Sequence, residues 1–316
     1  MKRKAIIFGI KGYYLSRAEK TLFRKYKPWG VILFSRNIKN LEQLKKLIIN
    51  IRKVTSDINY PILIDQEGGR VSRINKIIDL SLFSQGFFGK MYSTKSKKYF
   101  YTSYKIYIDA ISQIFNYVGI NINTVPVLDL RRIKSHNIIG DRSFSSNFKK
   151  VYQLGNLCIK FHERNKIATV IKHIPGHGLA KEDSHHKKPI INAGKSELIR
   201  KDFKIFKNCK SLLAMTAHVV FSSYDIINTA TQSDIVIKRI IRKHINFKGI
   251  LISDDISMKS LKGKIEENAL KALKAGCNLV LHCNGKIREM IKLSKVVPQI
   301  DKFTQKKTSH FYKFLR

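Results

Sequence analysis

The stretch Gly249-Ile-Leu-Ile-Ser-Asp-Asp255 is a short apolar run that ends on two adjacent carboxylates. Similar runs recur along the chain and are mostly apolar at odd and even positions alike, which is typical of parallel strands covered on both faces. Together they predict eight strands: Ala5–Gly9, Gly30–Phe34, Pro61–Asp65, Asn121–Leu128, Ala168–Lys172, Leu212–Thr216, Gly249–Asp254 and Cys277–His282.

Segments with helical spacing separate the predicted strands. Residues 41–51 carry apolar side chains on one helical face, and residues 104–115 carry a second such stripe. Strands that alternate with helices predict either a (β/α)8 barrel, for which about 250 residues is typical, or a doubly wound open sheet. The other predicted helices are Val151–Arg164, Lys195–Phe206, Ile235–His244 and Glu266–Ala275, the last followed by Gly276 as a helix C-cap.

Polar residues at the strand ends decide between these two folds. They are Asp65, Asp129, Lys172, His173, His218, Asp254, Asp255, His282 and Asn284. In a barrel these ends converge on one face, where barrel enzymes keep their active sites, whereas an open sheet spreads them along an edge. The sequence therefore predicts an α/β chain with one (β/α)8 TIM barrel domain over residues 1–296, followed by a C-terminal tail or helix over residues 297–316.

Composition narrows the class of protein. The 316 residues are 43% hydrophobic and 10% aromatic, which is enough to bury a core and excludes a disordered chain. The basic start Met1–Lys4 precedes an apolar run too short for a signal peptide, and no later run is long enough to span a membrane. The cysteines lie far apart without a CxxC pair, which argues against a structural zinc site or a disulfide framework. We therefore expect a cytoplasmic protein that does not contact a membrane.

The charge of the chain is strongly positive. The formal net charge is +39, from 61 Lys and Arg against 22 Asp and Glu, an excess typical of proteins that bind nucleic acid or another polyanion. The lysines, however, are scattered as pairs over the whole length, with no basic arm and no block of about five like charges. Lys, Ile and Asn also share AT-rich codons, so a biased genome accounts for the charge. We therefore expect no specific nucleic-acid partner, and the sequence leaves the oligomeric state open.

Sequence motifs at the ends of the predicted strands suggest a family. They are Asp65-Gln-Glu-Gly-Gly-Arg-Val-Ser-Arg73, Ile139-Gly-Asp-Arg-Ser-Phe144, Lys172-His-Ile-Pro-Gly-His-Gly178 with Asp183-Ser-His-His186, and Ile252-Ser-Asp-Asp-Ile-Ser-Met258. In this order they resemble the β-N-acetylhexosaminidases of glycoside hydrolase family 3, and more narrowly the cell-wall recycling β-N-acetylglucosaminidases of Gram-negative bacteria. The resemblance runs from about Gly30 to Asn284.

The resemblance implies a role for each matching residue. It implies that Asp254 is the catalytic nucleophile, that His185 is the general acid/base and that Asp183 orients His185. The family's retaining mechanism, its exo-acting release of N-acetylglucosamine from anhydromuropeptides and its lack of any cofactor also come with the resemblance. The residues implied to hold sugar hydroxyls are Asp65, Arg73, Arg142, Lys172 and His173.

The chemistry of these residue types suits the implied roles. A retaining glycosidase needs a carboxylate on one face of the anomeric carbon and a proton donor on the other. Asp254, at the end of a buried strand, is suited to the first role. A histidine, whose pKa is about 6.5, can give and take a proton near neutral pH, so His185 is suited to the second. Asp183 lies two residues away in a turn and can fix the tautomer of His185, as an Asp does in a catalytic triad.

The same residues also have structural interpretations. Asp254 and Asp255 could simply close a strand, one capping the next segment and the other pairing with a lysine. Gly68-Gly69 lacks a phosphate-binding pattern and is better explained as a tight turn. The arginines could be exposed salt-bridge partners. The histidines His173, His177, His185 and His186 could lie in solvent or bind a metal, but they lack HxH or HExxH spacing and belong to a loop, so we expect no metal.

Two other classes of function remain as alternatives. One is a polyanion- or nucleic-acid-binding protein on a degenerate barrel, in which the charge itself is the function. The other is a metal-dependent barrel hydrolase, which the histidine cluster suggests. Hydrolysis of a chromogenic N-acetylglucosaminide separates both from the glycosidase.

Overall fold

A computed structural model describes residues 2–132, 139–180, 188–209 and 211–316 of the chain. Its main sheet is a closed barrel of parallel strands, each paired with its neighbours in chain order and the last with the first. The predicted (β/α)8 barrel is therefore confirmed. The barrel strands are β1 (Lys4–Gly9), β2 (Pro28–Leu33), β3 (Ile62–Ile64), β4 (Ile122–Asn123), β5 (Ala168–Ile174), β6 (Leu213–Thr216), β7 (Ile250–Asp255) and β8 (Leu279–His282).

Helices surround the barrel. The predicted stripe on residues 41–51 is confirmed, because Leu44, Leu47, Ile48 and Ile51 are buried on the inner face of their helix. Gly276, at φ 121°, ends the helix before β8, as its position predicts. The described helices are Arg17–Tyr26, Leu41–Thr55, Gln85–Thr94, Lys97–Val118, Phe148–Arg164, Lys195–Arg200, Asp202–Asn208, the π-helical Val236–His244, Ile265–Ala275, Ile287–Val296 and Lys302–Leu315.

The fourth strand is shorter than predicted. The apolar run Asn121–Leu128 is a strand only over Ile122–Asn123. Pro126 has no N–H to donate to a neighbouring strand, so regular pairing cannot continue through it. Beyond it, Val127 forms a single bridge to Lys172, which keeps the segment against β5.

The predicted helix Lys195–Phe206 is divided into two helices. The first is Lys195–Arg200 and the second is Asp202–Asn208. Asp202 begins the second helix and is buried, and its carboxylate forms a 2.8 Å ion pair with Arg132. Because the second helix begins at Asp202, this carboxylate lies beside Arg132 in the segment that follows β4.

The last helix, Lys302–Leu315, covers the amino end of the barrel. Trp29, near the start of β2, donates from Nε1 to Thr308 Oγ1 at 2.9 Å, and its ring lies against Phe311. The N–H of Ile300 donates to the carbonyl of Arg3 at 2.8 Å, just before β1. The last helix therefore packs at the end of the barrel opposite to the carboxyl ends of the strands. In the part of the chain that the structure describes, no helix is both long enough and apolar enough to cross a membrane.

Candidate active site

A cavity of about 320 Å³ lies at the carboxyl ends of the barrel strands. This volume is at the lower end of the roughly 300–1,000 Å³ that small-ligand pockets occupy. The closed parallel barrel brings together residues that are far apart in the sequence, as the positions of the strand ends predict. The cavity wall includes every predicted site residue that the structure describes: Asp65, Arg73, Arg142, Lys172, His173 and Asp254. The two remaining predicted residues, Asp183 and His185, lie outside the described residues.

Asp254 and Asp255 both line the cavity, but their carboxylates differ in what they bind. The carboxylate of Asp255 accepts hydrogen bonds from the N–H and hydroxyl of Ser257, at 3.1 and 2.8 Å, and from the N–H of Cys283 at 3.2 Å. It therefore fixes the turn after β7. Among the described residues, the carboxylate of Asp254 accepts only the N–H of Asp255, at 2.8 Å. Asp254 is thus the carboxylate of the pair that is open to a bound molecule.

The surroundings of Asp254 favour its ionised form. Burial raises the pKa of this carboxyl, but His218, His173, the N–H of Asp255 and Lys172 lower it, and the net result lies below the ordinary value. Burial lowers the pKa of His218, so this ring is neutral at neutral pH and its Nε2 can donate to the carbonyl of Asp255, 3.0 Å away. At neutral pH, where His218 is uncharged, the positive charge of Lys172 still stabilises the Asp254 carboxylate, and Asp254 is therefore ionised.

Asp65 lies at the centre of a set of charged contacts. Its Oδ1 accepts from Lys172 Nζ and from the hydroxyl of Thr124, both at 2.6 Å, and its Oδ2 accepts from Arg73 at 2.5 Å. Burial alone would raise the pKa of this carboxyl, but Lys172 and Arg73 hold it well below its usual range. Asp65 is therefore a fixed anion whose remaining lone pairs can accept hydrogen bonds from a ligand.

Glu67, which the sequence did not assign to the site, binds two of the predicted residues. Its carboxylate accepts from Arg142 Nε and Nη2, at 2.7 and 2.8 Å, and from Lys172 Nζ at 2.6 Å. Arg142 and Lys172 keep the pKa of the buried Glu67 carboxyl below its ordinary value, although burial raises it. Two cations of the cavity wall are thus held by one carboxylate.

A second unassigned carboxylate, Asp129, holds His173 near the end of β5 and His177 in the loop that follows. Its Oδ2 lies 2.6 Å from His173 Nδ1, and its Oδ1 accepts the N–H of His177 at 2.6 Å. The proton of His173 is therefore expected on Nδ1, and within the described ranges Nε2 has no protein partner. Burial is the main cause that lowers the pKa of His177 to about 4, so His177 is neutral near pH 7.

Two polar residues at the end of β8 do not contribute to the cavity. His282 Nε2 lies 2.9 Å from Glu289 Oε2, and the side-chain amide of Asn284 donates to the same oxygen at 2.7 Å. These contacts join β8 to the helix Ile287–Val296 and have a structural role. Among the described residues, no three His, Cys, Asp or Glu side chains come close enough to hold a metal ion.

Comparison with known proteins gives consistent matches over most of the chain. The model of the glycosyl hydrolase family 3 N terminal domain matches residues 9–310. A beta-hexosaminidase from Haemophilus influenzae is 34% identical over 289 residues, which is 89% of this chain and 79% of the relative. The crystal structure of NagZ from Neisseria gonorrhoeae in complex with N-trifluoroacetyl-D-glucosamine is similar with a TM-score of 0.87 and 28% identity, covering 100% of this chain and 91% of that chain. A structure of the same NagZ in complex with zinc ion has the same TM-score and identity, covering 99% of this chain and 90% of that chain.

Proposed function

Because the chain belongs to glycosyl hydrolase family 3 and is a glycosidase of the β-hexosaminidase type, we propose that it is a retaining exo-β-N-acetylhexosaminidase. Its substrates in this proposal are peptidoglycan fragments, from which it releases terminal N-acetylglucosamine during cell-wall recycling in the cytoplasm. The observation that carries the proposal is the half-buried, ionised Asp254 carboxylate at the wall of a sugar-sized cavity.

The proposed mechanism has two steps, as retaining glycosidases require. In the first, a carboxylate oxygen of Asp254 forms a bond to the anomeric carbon while the bond to the leaving oxygen breaks, and His185 gives that oxygen a proton. In the second, His185 takes a proton from water, and the water oxygen replaces Asp254 at the anomeric carbon. Asp183 orients His185 in both steps.

The polar wall of the cavity supports the proposed binding of a sugar. Asp65 offers hydrogen-bond acceptors, Arg73 and Arg142 offer donors, and His173 offers Nε2. The hydroxyls of a sugar both donate and accept, so they can pair with all of these groups. A cavity of about 320 Å³ also suits one sugar residue better than a polysaccharide chain, which supports exo action. The bound N-trifluoroacetyl-D-glucosamine of the Neisseria relative supports an amino sugar as the residue released.

We propose that the enzyme meets its substrate in the cytoplasm. The cysteines Cys158, Cys209, Cys277 and Cys283 are all free thiols, which suits a reducing compartment. The fragment we propose is an N-acetylglucosaminyl-anhydromuramyl peptide, a small acidic molecule. An acidic substrate also suits a protein of net charge +39.

The first test is hydrolysis of a chromogenic β-N-acetylglucosaminide by the purified native protein. We expect turnover of this substrate, negligible turnover of the corresponding β-glucoside, and β-configured N-acetylglucosamine as the first product seen by NMR. Absence of turnover would contradict the glycosidase, and an α-configured first product would contradict retention.

We predict that the positive charge aids the encounter with acidic muropeptides but takes no part in the reaction. Attraction of this kind is screened over about 10 Å at 0.1 M salt. The KM for a substrate that carries carboxylates should therefore rise with salt, whereas the KM for a neutral aryl glycoside should change little. Steady-state kinetics from low to physiological salt measures both. Equal responses would contradict electrostatic steering, and nanomolar, sequence-selective nucleic-acid binding would favour the polyanion alternative.

A further inference from the structure

Glu67 lies behind the cavity wall, next to two of the cations that line it. Its side chain is 1% exposed and is absent from the cavity wall, whereas Arg142 and Lys172 both belong to that wall. Both carboxylate oxygens are used, because Arg142 binds one through Nε and Lys172 shares the other with Arg142 Nη2. A buried carboxylate with this many charge-assisted contacts determines where its partners can lie.

The contacts of Lys172 show what this arrangement leaves for a ligand. An ammonium group has three N–H donors. Two are held by Asp65 and Glu67 at 2.6 Å, and the third points to the hydroxyl of Thr124 at a longer 3.2 Å. The contact with Thr124 is the weakest of the three and is the one that a sugar hydroxyl can replace. Without Glu67, a second donor would be released and the ammonium could rotate.

We propose that Glu67 is a positioning residue, which holds Arg142 and Lys172 where they can bind sugar hydroxyls. This inference rests on the proposed function of the site. Glu67 does not touch the sugar itself, since it lies behind the two cations. Asp65 cannot replace it, because Asp65 also accepts hydrogen bonds from Arg73 and Thr124 and makes none with Arg142.

Glu67 also affects the range of pH over which Lys172 is charged. Burial lowers the pKa of Lys172, Asp65 and then Glu67 raise it, and Arg142 lowers it, with a net pKa above the ordinary value. Other ionisable groups nearby among the described residues are Asp254 on β7, His173 on the same strand as Lys172, and Arg73, which binds the other oxygen of Asp65. Removing the charge of Glu67 lowers the pKa of Lys172, which then loses its proton at a lower pH. A histidine acid such as His185 loses its proton at about pH 6.5, far below Lys172, so the alkaline limb of activity should not move.

The test is the Glu67→Gln variant, which keeps the shape of the side chain and removes its charge. We expect kcat/KM for the chromogenic substrate to fall about 10- to 100-fold, as losses of supporting contacts in other enzymes do. We expect most of this loss to appear as a higher KM, because the displaced cations bind hydroxyls of the sugar and not the leaving oxygen. Glu67→Asp keeps the charge on a shorter side chain, so it should recover part of the lost kcat/KM.

Glu289→Gln is the matched control, because Glu289 accepts from His282 and Asn284 and does not line the cavity. Its kinetics should stay within about twofold of native. A native-like Glu67→Gln variant would overturn the inference. So would a fall in kcat with a lower Tm and an unchanged KM, which marks a merely structural role. If Glu67→Gln fails to fold, an unchanged kcat/KM in Glu67→Asp overturns the inference. Inactivity of the native protein would contradict the proposed function instead.

Discussion

Asp254→Asn should abolish glycosidase activity, with kcat/KM reduced by roughly 10⁴-fold or more, a loss typical of removing a nucleophile. The amide has the shape of the carboxylate but cannot attack the anomeric carbon. The Tm should stay near native, because the described residues give the Asp254 carboxylate only the N–H of Asp255, which an amide oxygen can also accept. Steady-state kinetics and thermal melting measure the two effects. In the native enzyme a fluorosugar or cyclitol inactivator should label Asp254, which peptide mapping can locate.

Asp255→Asn is the control for this prediction. Its carboxylate fixes the turn after β7 through Ser257 and Cys283, and an amide oxygen can still accept from their N–H groups. We therefore expect a far smaller loss of activity than for Asp254→Asn. An inactivator bound to Asp255 would show that the nucleophile has been assigned to the wrong carboxylate.

The barrel could be predicted from the sequence because its strands have a local signature. The runs are mostly apolar at both parities, most of them end on or just before a polar residue, and each of the eight predicted runs overlaps a barrel strand. Boundaries were less predictable where a long-range contact or a proline sets them. The strand over Asn121–Leu128 is interrupted by Pro126, and the helix that starts at Asp202 places a buried carboxylate beside Arg132, seventy positions earlier.

The cavity wall could also be predicted, but the groups behind it could not. Lys172, His173 and Asp254 follow apolar runs and so stand out in the sequence. Glu67 lies inside a motif already noted, yet nothing local indicates that its partner is Arg142, which is 75 positions away. Asp129 was noted only as a strand end, and its contact with His173 crosses 44 positions. Such pairings form because the closed barrel brings its loops together at one end, and the spacing of residues in the sequence does not show which loops meet.

The His185→Ala variant should lose hydrolysis of a natural disaccharide by roughly 10²–10⁴-fold, the contribution that general acid–base catalysis typically makes. His185 lies outside the described residues, so this prediction rests on the family resemblance and on the chemistry. Donation of a proton matters most when the leaving group is poor. An activated phenol leaves without much help, so the glycosylation step of an aryl glycoside should be affected less. Comparing the two substrates in the same variant therefore isolates the role of the proton donor.

Two further variants and a chelator test the assignment. Asp183→Ala should give a milder version of the same pattern, because it removes the orienting carboxylate but leaves the imidazole. His186→Ala should remain close to native, as expected of a neighbouring histidine with no role in proton transfer. EDTA should leave the native enzyme and these variants unaffected, although a relative has been crystallised with zinc. If His186 were essential and His185 dispensable, the Asp183–His185 pair would be the wrong acid/base. If the chelator stopped the reaction, a metal-dependent hydrolase would become the better explanation, because metal-bound water could then supply the proton.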